Sequence, residues 1–375
     1  MSCKETEKTS NADNVIQLMD YAAPYRGNFI ESLEYLNIKL KDIGRYCVYV
    51  FPHRAKSLPT AIWIQEIIDN GDIVYYYSGN IASDVLILKS IIKKHDIGVI
   101  HLHFENIRLD LAAFCVSRII PVKLVKHFHN HPDSDSGWKK MIKQIILRKC
   151  VLVSVSESVG RLVRQLYPLN RQCVLENAIL FERLDNYAVL KRSEFGIEQG
   201  SLVCFMMGFD FWRKGVDLVI SSIMKIRETM RVTLMISISS NLDKVVSEIR
   251  SRLGDVPGWI VLLPPRNDVS TYYRFADIFI SASREEGFCY AVVEAAYCEV
   301  MIVASKIPGQ GDLKIPNVLW FTSGNEKELG EQIIKASELK NSLSEVSELA
   351  RESVVQKYDI NVWCQNVIAA YQYKR

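Results

Sequence analysis

The sequence predicts an α/β protein built from two parallel, doubly wound sheets, and three observations predict it. Short apolar runs rich in Val, Ile, Phe and Tyr alternate with stretches of helical period along the whole chain, the pattern of strand–helix–strand crossovers. The alternation falls into two series separated by residues 176–200, which open with Glu176-Asn-Ala-Ile, turn charged and end at Gly200. A chain of 375 residues with 49% apolar content has enough apolar surface for two cores.

Taken in order, residues 1–14 are polar and are expected to be disordered. The first strand is read over 15–19, then a loop carrying Gly27, then a helix over 29–40 with Asn28 as its N-cap. Further strands are read at 47–51, 73–77, 99–103, 124–128 and 151–155, with helical stretches near 60–69, 82–94, 108–118 and 138–149. The second series of strands is read at 202–207, 233–238, 259–263, 278–281, 301–304 and 318–321. Two such sheets make two Rossmann-like domains, at 15–175 and 201–357, with 176–200 as hinge and the cleft beside it.

Composition narrows the setting. No apolar run approaches the ~18–20 residues that span a bilayer, and the start Met1-Ser-Cys-Lys-Glu-Thr-Glu-Lys8 lacks a signal-peptide core, so a cytoplasmic protein is expected. The nine cysteines are scattered without a Cys-x-x-Cys pair and read as reduced core thiols. Net charge is +3, but residues 1–175 carry 23 Lys and Arg against 17 Asp and Glu, or +6, which leaves −3 for the remainder. Within the basic half, Trp138, Met141, Ile142, Ile145 and Ile146 form one helical stripe, with Lys139, Lys140, Lys143 and Lys149 largely elsewhere. Two readings stay open: a helix packed on its sheet with a solvated basic face, or an interfacial helix drawn to anionic lipid, peripheral at the inner face of the cell membrane.

The chemistry concentrates in the run from Ser283 to Tyr297, where Glu286 and Glu294 are separated by seven residues. Residues 277–283 read as a buried strand, Gly287 as a turn, and 290–298 as a helix with almost no polar face. A carboxylate in the middle of such a helix is costly unless something hydrogen-bonds to it, so Glu294 must point back toward the helix start and meet a partner there. Free N–H groups at that start favour phosphate, and Glu294 lies roughly 8–9 Å along the axis at ~1.5 Å per residue. A nucleotide sugar fits: Glu286 for sugar hydroxyls, the Phe288 and Cys289 amides for the diphosphate, Glu294 for ribose. The plainer alternative is a capped helix whose Glu294 satisfies a neighbouring amide.

The motif Ser-Arg-Glu-Glu-Gly-Phe, five residues, Glu-Ala, followed by Val303-Ala-Ser305, resembles the donor-site signature of the retaining glycosyltransferases of family 4, which have the GT-B fold. Gly208-Phe-Asp-Phe-Trp-Arg-Lys-Gly215 matches that family's glycine-to-Lys-Gly loop in length, and Ser305-Lys-Ile-Pro-Gly-Gln-Gly-Asp312 resembles its next donor-side loop. With weaker N-terminal matches the resemblance covers most of residues 15–370. It implies a nucleotide-sugar domain at 201–357 and an acceptor domain at 15–175. It also implies a final segment, 358–375, whose helix near 361–371 crosses back onto the first domain.

Ligands of open parallel sheets bind beyond the carboxyl ends of the strands, which singles out the loops. Arg213 and Lys214 follow a strand end and suit a diphosphate leaving group. The resemblance makes Lys214 the diphosphate ligand, whereas the family's usual arginine after the glycine is Phe209 here. Gly27, Gly208, Arg266, Gly287 and Tyr290 complete the expected donor-binding set with Arg213, Lys214, Glu286, Phe288, Cys289 and Glu294. Lys126-His-Phe-His-Asn130 resembles the family's His-Ser-His-Asn strand end, which makes His129 the residue facing the transferred sugar. His129 and Glu286 are the catalytic candidates. The histidines form two clusters, His101 with His103 and His127 with His129 and His131; His127 and His129 with Asp133 and Asp135 could collect a metal or mimic the Asp-x-Asp of a different glycosyltransferase fold, but no metal is expected, because fixed cations supply the charge.

Arg26, Phe104, Glu105 and His131 are expected to bind the acceptor, a saccharide or lipid-linked oligosaccharide; no nucleic acid is expected. The donor is read as a UDP- or GDP-sugar, and the reaction as transfer to a hydroxyl with retention, as the family implies. A two-domain epimerase or phosphorylase and a non-catalytic partner subunit stay open. One further departure is structural: Glu299 and Met301 stand where the family commonly has a helix-ending glycine and a proline.

Overall fold

A computed structural model of the chain describes residues 14–132, 137–238, 242–316, 318–339 and 344–372. Seven strands form the first sheet: Asn14–Met19 (β1), Cys47–Pro52 (β2), Ile73–Tyr77 (β3), Ile97–His103 (β4), Lys123–Phe128 (β5), Val151–Ser154 (β6) and Gln172–Val174 (β7). Six form the second: Leu202–Met207 (β8), Val232–Ser237 (β9), Ile260–Leu263 (β10), Ile278–Ser281 (β11), Met301–Ser305 (β12) and Val318–Phe321 (β13). The orders are β3-β2-β1-β4-β5-β6-β7 and β10-β9-β8-β11-β12-β13, each reversing direction beside its first strand, as doubly wound sheets do.

Helices cross over between the strands. In the first half they are Gly27–Lys41 (α1), Thr60–Asp69 (α2), Ile81–His95 (α3), Ile107–Ile119 (α4), Trp138–Leu147 (α5) and Glu157–Leu166 (α6). The second half has Val216–Ile226 (α7), Leu242–Leu253 (α8), Ser270–Phe275 (α9), Tyr290–Tyr297 (α10), Glu326–Leu339 (α11) and Ser344–Lys357 (α12), and Ile360–Gln372 (α13) ends the fold. None of the described helices is long and apolar enough to cross a membrane. Central strands such as Cys47–Pro52 are buried at every position, which is why they read as continuous apolar runs. Strand β7 and helix α6 escape the sequence reading. The first has only three half-buried residues, and the second carries Gly160 in its interior, which weakens the helical pattern behind a Ser156 cap whose Oγ accepts from Val159 N–H at 3.3 Å.

The chain crosses between the sheets twice. The linker and the segment before α13 run side by side, with a parallel bridge between Ile179 and Asp359 and Ile179 N–H donating to the Tyr358 carbonyl at 3.2 Å. Helix α13 then buries Trp363, Cys364, Val367 and Tyr371 in the same cluster as Ile30, Leu33 and Leu36 of α1, so the last helix belongs to the core of the first sheet.

Four details differ from the sequence reading. Asn14 is not part of a disordered start: it opens β1 and its side chain bonds Tyr46 N–H at 3.0 Å and the His95 carbonyl at 2.8 Å, while residues 1–13 lie outside the described set, as do Asp133 and Asp135. Asn28 does not cap α1; the helix begins at Gly27 without a side-chain cap, because Asn28 is engaged across the cleft. The apolar stripe of α5 is divided. Ile146 is buried in the core with the neighbouring Leu147, whereas Trp138, Met141 and Ile145 are 65%, 57% and 54% exposed. Lys143, counted among the basic face, is largely buried and pairs with Glu105 at 3.5 Å.

Glu299 takes the left-handed conformation at φ 61° that usually calls for glycine. Val300 N–H bonds the Ala295 carbonyl at 3.3 Å and Glu299 N–H the Ala296 carbonyl at 3.1 Å, which together make a Schellman turn. Arg351 of α12 meets the Glu299 carboxylate at 2.9 Å and holds the turn in place.

Candidate functional site

Three loops of the second sheet meet at one point. After β8, Gly208 leaves no room for a side chain, since an added Cβ would stand 2.3 Å from Ile236 Cγ2. Gly215 closes the same loop at φ +68°, where a Cβ would meet the Ala282 carbonyl oxygen at 2.2 Å. The loop after β11 is fastened to it: Arg284 N–H donates to the Arg213 carbonyl at 2.8 Å, and the Arg284 guanidinium is bidentate to Asp217 at 2.8 and 2.7 Å. The loop after β12 completes the group through Gln310, which is fully buried and bonds Ser281 and Ser305.

At the meeting point Lys214 Nζ lies 2.5 Å from Glu286 Oε1, with the two side chains 9% and 8% exposed. Ser283 Oγ donates to the same carboxylate oxygen at 2.8 Å, and Arg213 Nη1 stands 3.8 Å from the other. Phe209 places its ring under both cations, 4.7 Å from Lys214 Nζ and 5.2 Å from the Arg213 guanidinium carbon. The aromatic face holds the two charges together without adding a third.

The first sheet approaches from the opposite side. A Cβ on Gly287 would meet the His129 carbonyl oxygen at 2.0 Å, so only glycine lets these two loops touch. His131 Nδ1 lies 4.0 Å from Glu285 Oε1 across the same seam. Glu294 is buried in α10 with three partners: Tyr273 Oη donates to Oε2 at 2.9 Å, Asn28 Nδ2 donates to Oε1 at 2.9 Å, and Arg183 pairs with Oε1. Arg183 also lies 3.1 Å from Glu31. Burial alone would lower its pKa, but the Glu294 and Glu31 carboxylates outweigh that and raise it. The partner that Glu294 needed is therefore not a backbone amide but a tyrosine, an asparagine and an arginine from three segments.

The remaining expected residues are placed as follows. Phe288, Cys289 and Tyr290 form the turn and first position of α10. Gly27 starts α1 at φ +64°, and neighbouring Arg26 is paired with Glu34. Phe104, at φ 63°, lies against His129 with ring centroids 4.5 Å apart and stacks on Tyr21 at 5.7 Å. Arg266 is bidentate to Asp268 at 2.8 and 2.6 Å, so its charge is already taken.

His101, His103, His127 and His129 line one face of β4 and β5. The first three offer ring nitrogens within 4.8 Å of one another. Nε2 and Nδ1 of His103 are within hydrogen-bonding distance of Gln17 and His129 respectively, and the His101 and His127 rings stack with centroids 5.3 Å apart and planes 4° from parallel. Burial holds His101 and His103 well below their ordinary pKa and His127 down to about 3.

Arg183, Glu31, Tyr273 and Gln17 were not singled out from the sequence. Only the requirement that buried Glu294 have a partner pointed toward the first three.

Residues 190–353 match the family model Glycosyl transferases group 1. The chain is 25% identical over 129 residues to the lipopolysaccharide glucosyltransferase WaaG of Escherichia coli (strain K12), covering 34% of each protein. It is 26% identical over 172 residues to an N,N'-diacetylbacillosaminyl-diphospho-undecaprenol alpha-1,3-N-acetylgalactosaminyltransferase of Campylobacter jejuni, covering 45% of this chain and 44% of that one. The matches thus span between about a third and under half of the length of these curated relatives. A glycosyltransferase from Rickettsia africae superposes with a TM-score of 0.81 at 15% identity, covering 96% and 98% of the two chains. Anabaena HepE in complex with UDP-glucose gives 0.75 at 17% identity, covering 95% and 98%. The two parallel Rossmann-like sheets thus have the GT-B architecture, and over 190–353 the chain is similar to the group 1 glycosyltransferases, those of the family 4 type among them.

Proposed function

We propose that this protein transfers a sugar from a nucleoside diphosphate donor to a hydroxyl group of a growing glycan, with retention of anomeric configuration. The observation that carries the reading is the buried Lys214–Glu286 pair with Arg213 beside it, at the carboxyl ends of β8 and β11 and facing the loop of His129. Lys214 and Arg213 stabilise the charge that develops on the departing diphosphate, and the amides of Phe288 and Cys289 add their dipoles. Glu286 takes sugar hydroxyls, and Glu294 takes ribose hydroxyls once Asn28 and Arg183 withdraw. Among the candidate residues none stands as a nucleophile, so the departing phosphate serves as base for a hydroxyl attacking on the same face. The fixed cations supply the charge stabilisation that a metal would otherwise give.

Residues 15–175 are assigned to the acceptor and 201–357 to the donor. A uridine nucleotide is the first to test, since HepE was solved with UDP-glucose. A lipid-linked saccharide is the acceptor class, in line with the lipopolysaccharide and diphospho-undecaprenol substrates in the relatives' names. Exposed Trp138, Met141 and Ile145 beside exposed Lys139, Lys140, Arg148 and Lys149 supply a face suited to an anionic membrane.

The test is a thermal-shift screen against nucleotides and nucleotide sugars, followed by transfer assays with the donor that raises Tm. A selective rise with one diphosphate series and transfer to an acceptor support the reading. Consumption of donor without acceptor transfer indicates an epimerase, and no rise with any nucleotide indicates a non-catalytic partner subunit.

A further inference from the structure

Four buried or half-buried polar groups form a chain from the last helix to His129. Gln17 of β1, fully buried, directs Nε2 to Tyr371 Oη at 3.2 Å and to Cys47 Sγ at 3.3 Å. Its Oε1 faces His103 Nε2 at 2.8 Å, and His103 Nδ1 faces His129 Nε2 at 3.0 Å. Proton counting along this chain leaves little freedom. An amide oxygen only accepts, so His103 must carry its proton on Nε2. A neutral imidazole protonated there has a lone pair on Nδ1, so the facing His129 Nε2 must be the donor. His129 is thereby the Nε2–H tautomer, and its Nδ1 keeps a lone pair and forms no hydrogen bond with the described residues. Phe29 makes T-shaped contacts with both rings, with centroids 5.1 Å from His103 and 4.9 Å from His129, and Phe104 lies against His129 at 4.5 Å, so neither ring swivels freely.

We propose that His103, oriented by Gln17, is a positioning residue that holds His129 in a single tautomer with Nδ1 as the hydrogen-bond acceptor for a hydroxyl of the bound sugar. The proposal rests on His129 as the residue facing the transferred sugar. A solvated histidine exchanges tautomers and ring flips, so only a fraction of molecules would present an acceptor at any moment; the Gln17–His103 pair removes that loss. Burial keeps His103 neutral, as the relay needs. Tyr371 Oη accepts from Gln17 Nε2 while its own proton is available to His101 Nδ1 at 2.7 Å, so docking of the last helix and the state of His129 are joined through one side chain.

The deciding experiment is NMR of the full chain labelled with ¹⁵N-histidine, whose ring nitrogen shifts report the tautomer, on the wild type, His103→Leu and His103→Asn. Alongside, kcat and KM are measured with the nucleotide sugar that raises Tm. The wild type should show His129 as Nε2–H. His103→Leu should give a tautomer mixture and a kcat lowered about tenfold or more with donor KM unchanged. His103→Asn, whose Oδ1 stands near the lost Nδ1, should restore both. If His103→Leu fails to fold, Gln17→Leu breaks the relay at its far end and should also yield a mixture. An Nδ1–H tautomer in the wild type, or a tautomer unchanged by both variants, overturns the proposal. A wild type with the expected tautomer but no transfer with any donor leaves the relay standing and overturns the function.

Discussion

Asn28 Nδ2 donates to Glu294 Oε1 at 2.9 Å across the seam between the sheets, although 266 positions separate them in the chain. The carboxylate expected to hold ribose is thus occupied by the other half of the protein, and releasing it requires the halves to part. A hydrogen bond to a charged group contributes about 1.5–3 kcal/mol, enough to favour the closed arrangement about tenfold to a hundredfold. Asn28→Ala should therefore open the unliganded protein and raise donor affinity. Small-angle scattering and calorimetric titration read the two effects, and an unchanged radius of gyration with unchanged affinity would show that Asn28 exerts no such hold.

Removing Lys214 should damage both chemistry and folding. As a cation aimed at a leaving group, its loss should lower kcat by about 10²–10³. Lys214→Ala also leaves Glu286 buried with the Ser283 hydroxyl and, as its nearest cation, only the more distant Arg213 at 3.8 Å. Breaking a buried pair from one side costs about 3–5 kcal/mol, whereas removing both charges is often neutral. The double variant Lys214→Met, Glu286→Gln should consequently regain most of the Tm lost by Lys214→Ala while staying inactive. A double variant as unstable as the single one would mean the pair is not what the site's stability depends on.

Stability should fall as the medium turns acid from pH 7 toward pH 4. His101, His103 and His127 have folded pKa values below the ordinary 6.5, so the unfolded chain binds protons that the folded one refuses. Their contribution is complete above pH 6.5 and is lost as pH falls below it, at about 1.4 kcal/mol per pH unit for each histidine. Urea unfolding at several pH values measures the slope, and His127→Leu should reduce it by one proton's worth. An identical slope in that variant would contradict the assignment.

At Glu299 two terms oppose. Glycine would remove about 1 kcal/mol of left-handed strain but forfeit an Arg351 ion pair worth about 0.2–1 kcal/mol. Glu299→Gly should leave Tm unchanged or slightly higher, and Glu299→Ala, which keeps the strain and loses the pair, should lower it. A clear drop in Tm for Glu299→Gly would mean the ion pair dominates.

On α5, Trp138→Ala with Ile145→Ala should weaken flotation with anionic vesicles without lowering Tm, because both side chains are mostly in water. Retained flotation in that variant would remove the membrane role of this helix.

The strands were legible because parallel strands buried on both faces are uninterrupted apolar runs, as in Cys47–Pro52 and Leu202–Met207. Loop glycines were legible as punctuation, though the reasons for Gly215 and Gly287 are contacts with distant backbone that local spacing cannot show. The buried charge of Glu294 announced a need for a partner without saying which. Arg183 sits in a short turn of the linker, where its sequence neighbours look like ordinary solvated charge. Asn28 had a sound local use as a cap, and a tertiary partner took it instead. The α5 stripe shows the same limit, since helical period tells which residues share a face and not whether that face is covered.

The paired crossing at Ile179 and Asp359 has a mechanical consequence. Halves joined by one strand of chain can twist, slide and drift, whereas halves joined by two strands clasped together have lost most of those freedoms. A joint of that kind resists a swing about the clasp least, and such a swing would part and reunite Gly287 and the His129 carbonyl along one arc. A single nick in either strand would leave the halves tethered by the other, and the swing would lose its axis before the molecule lost its unity.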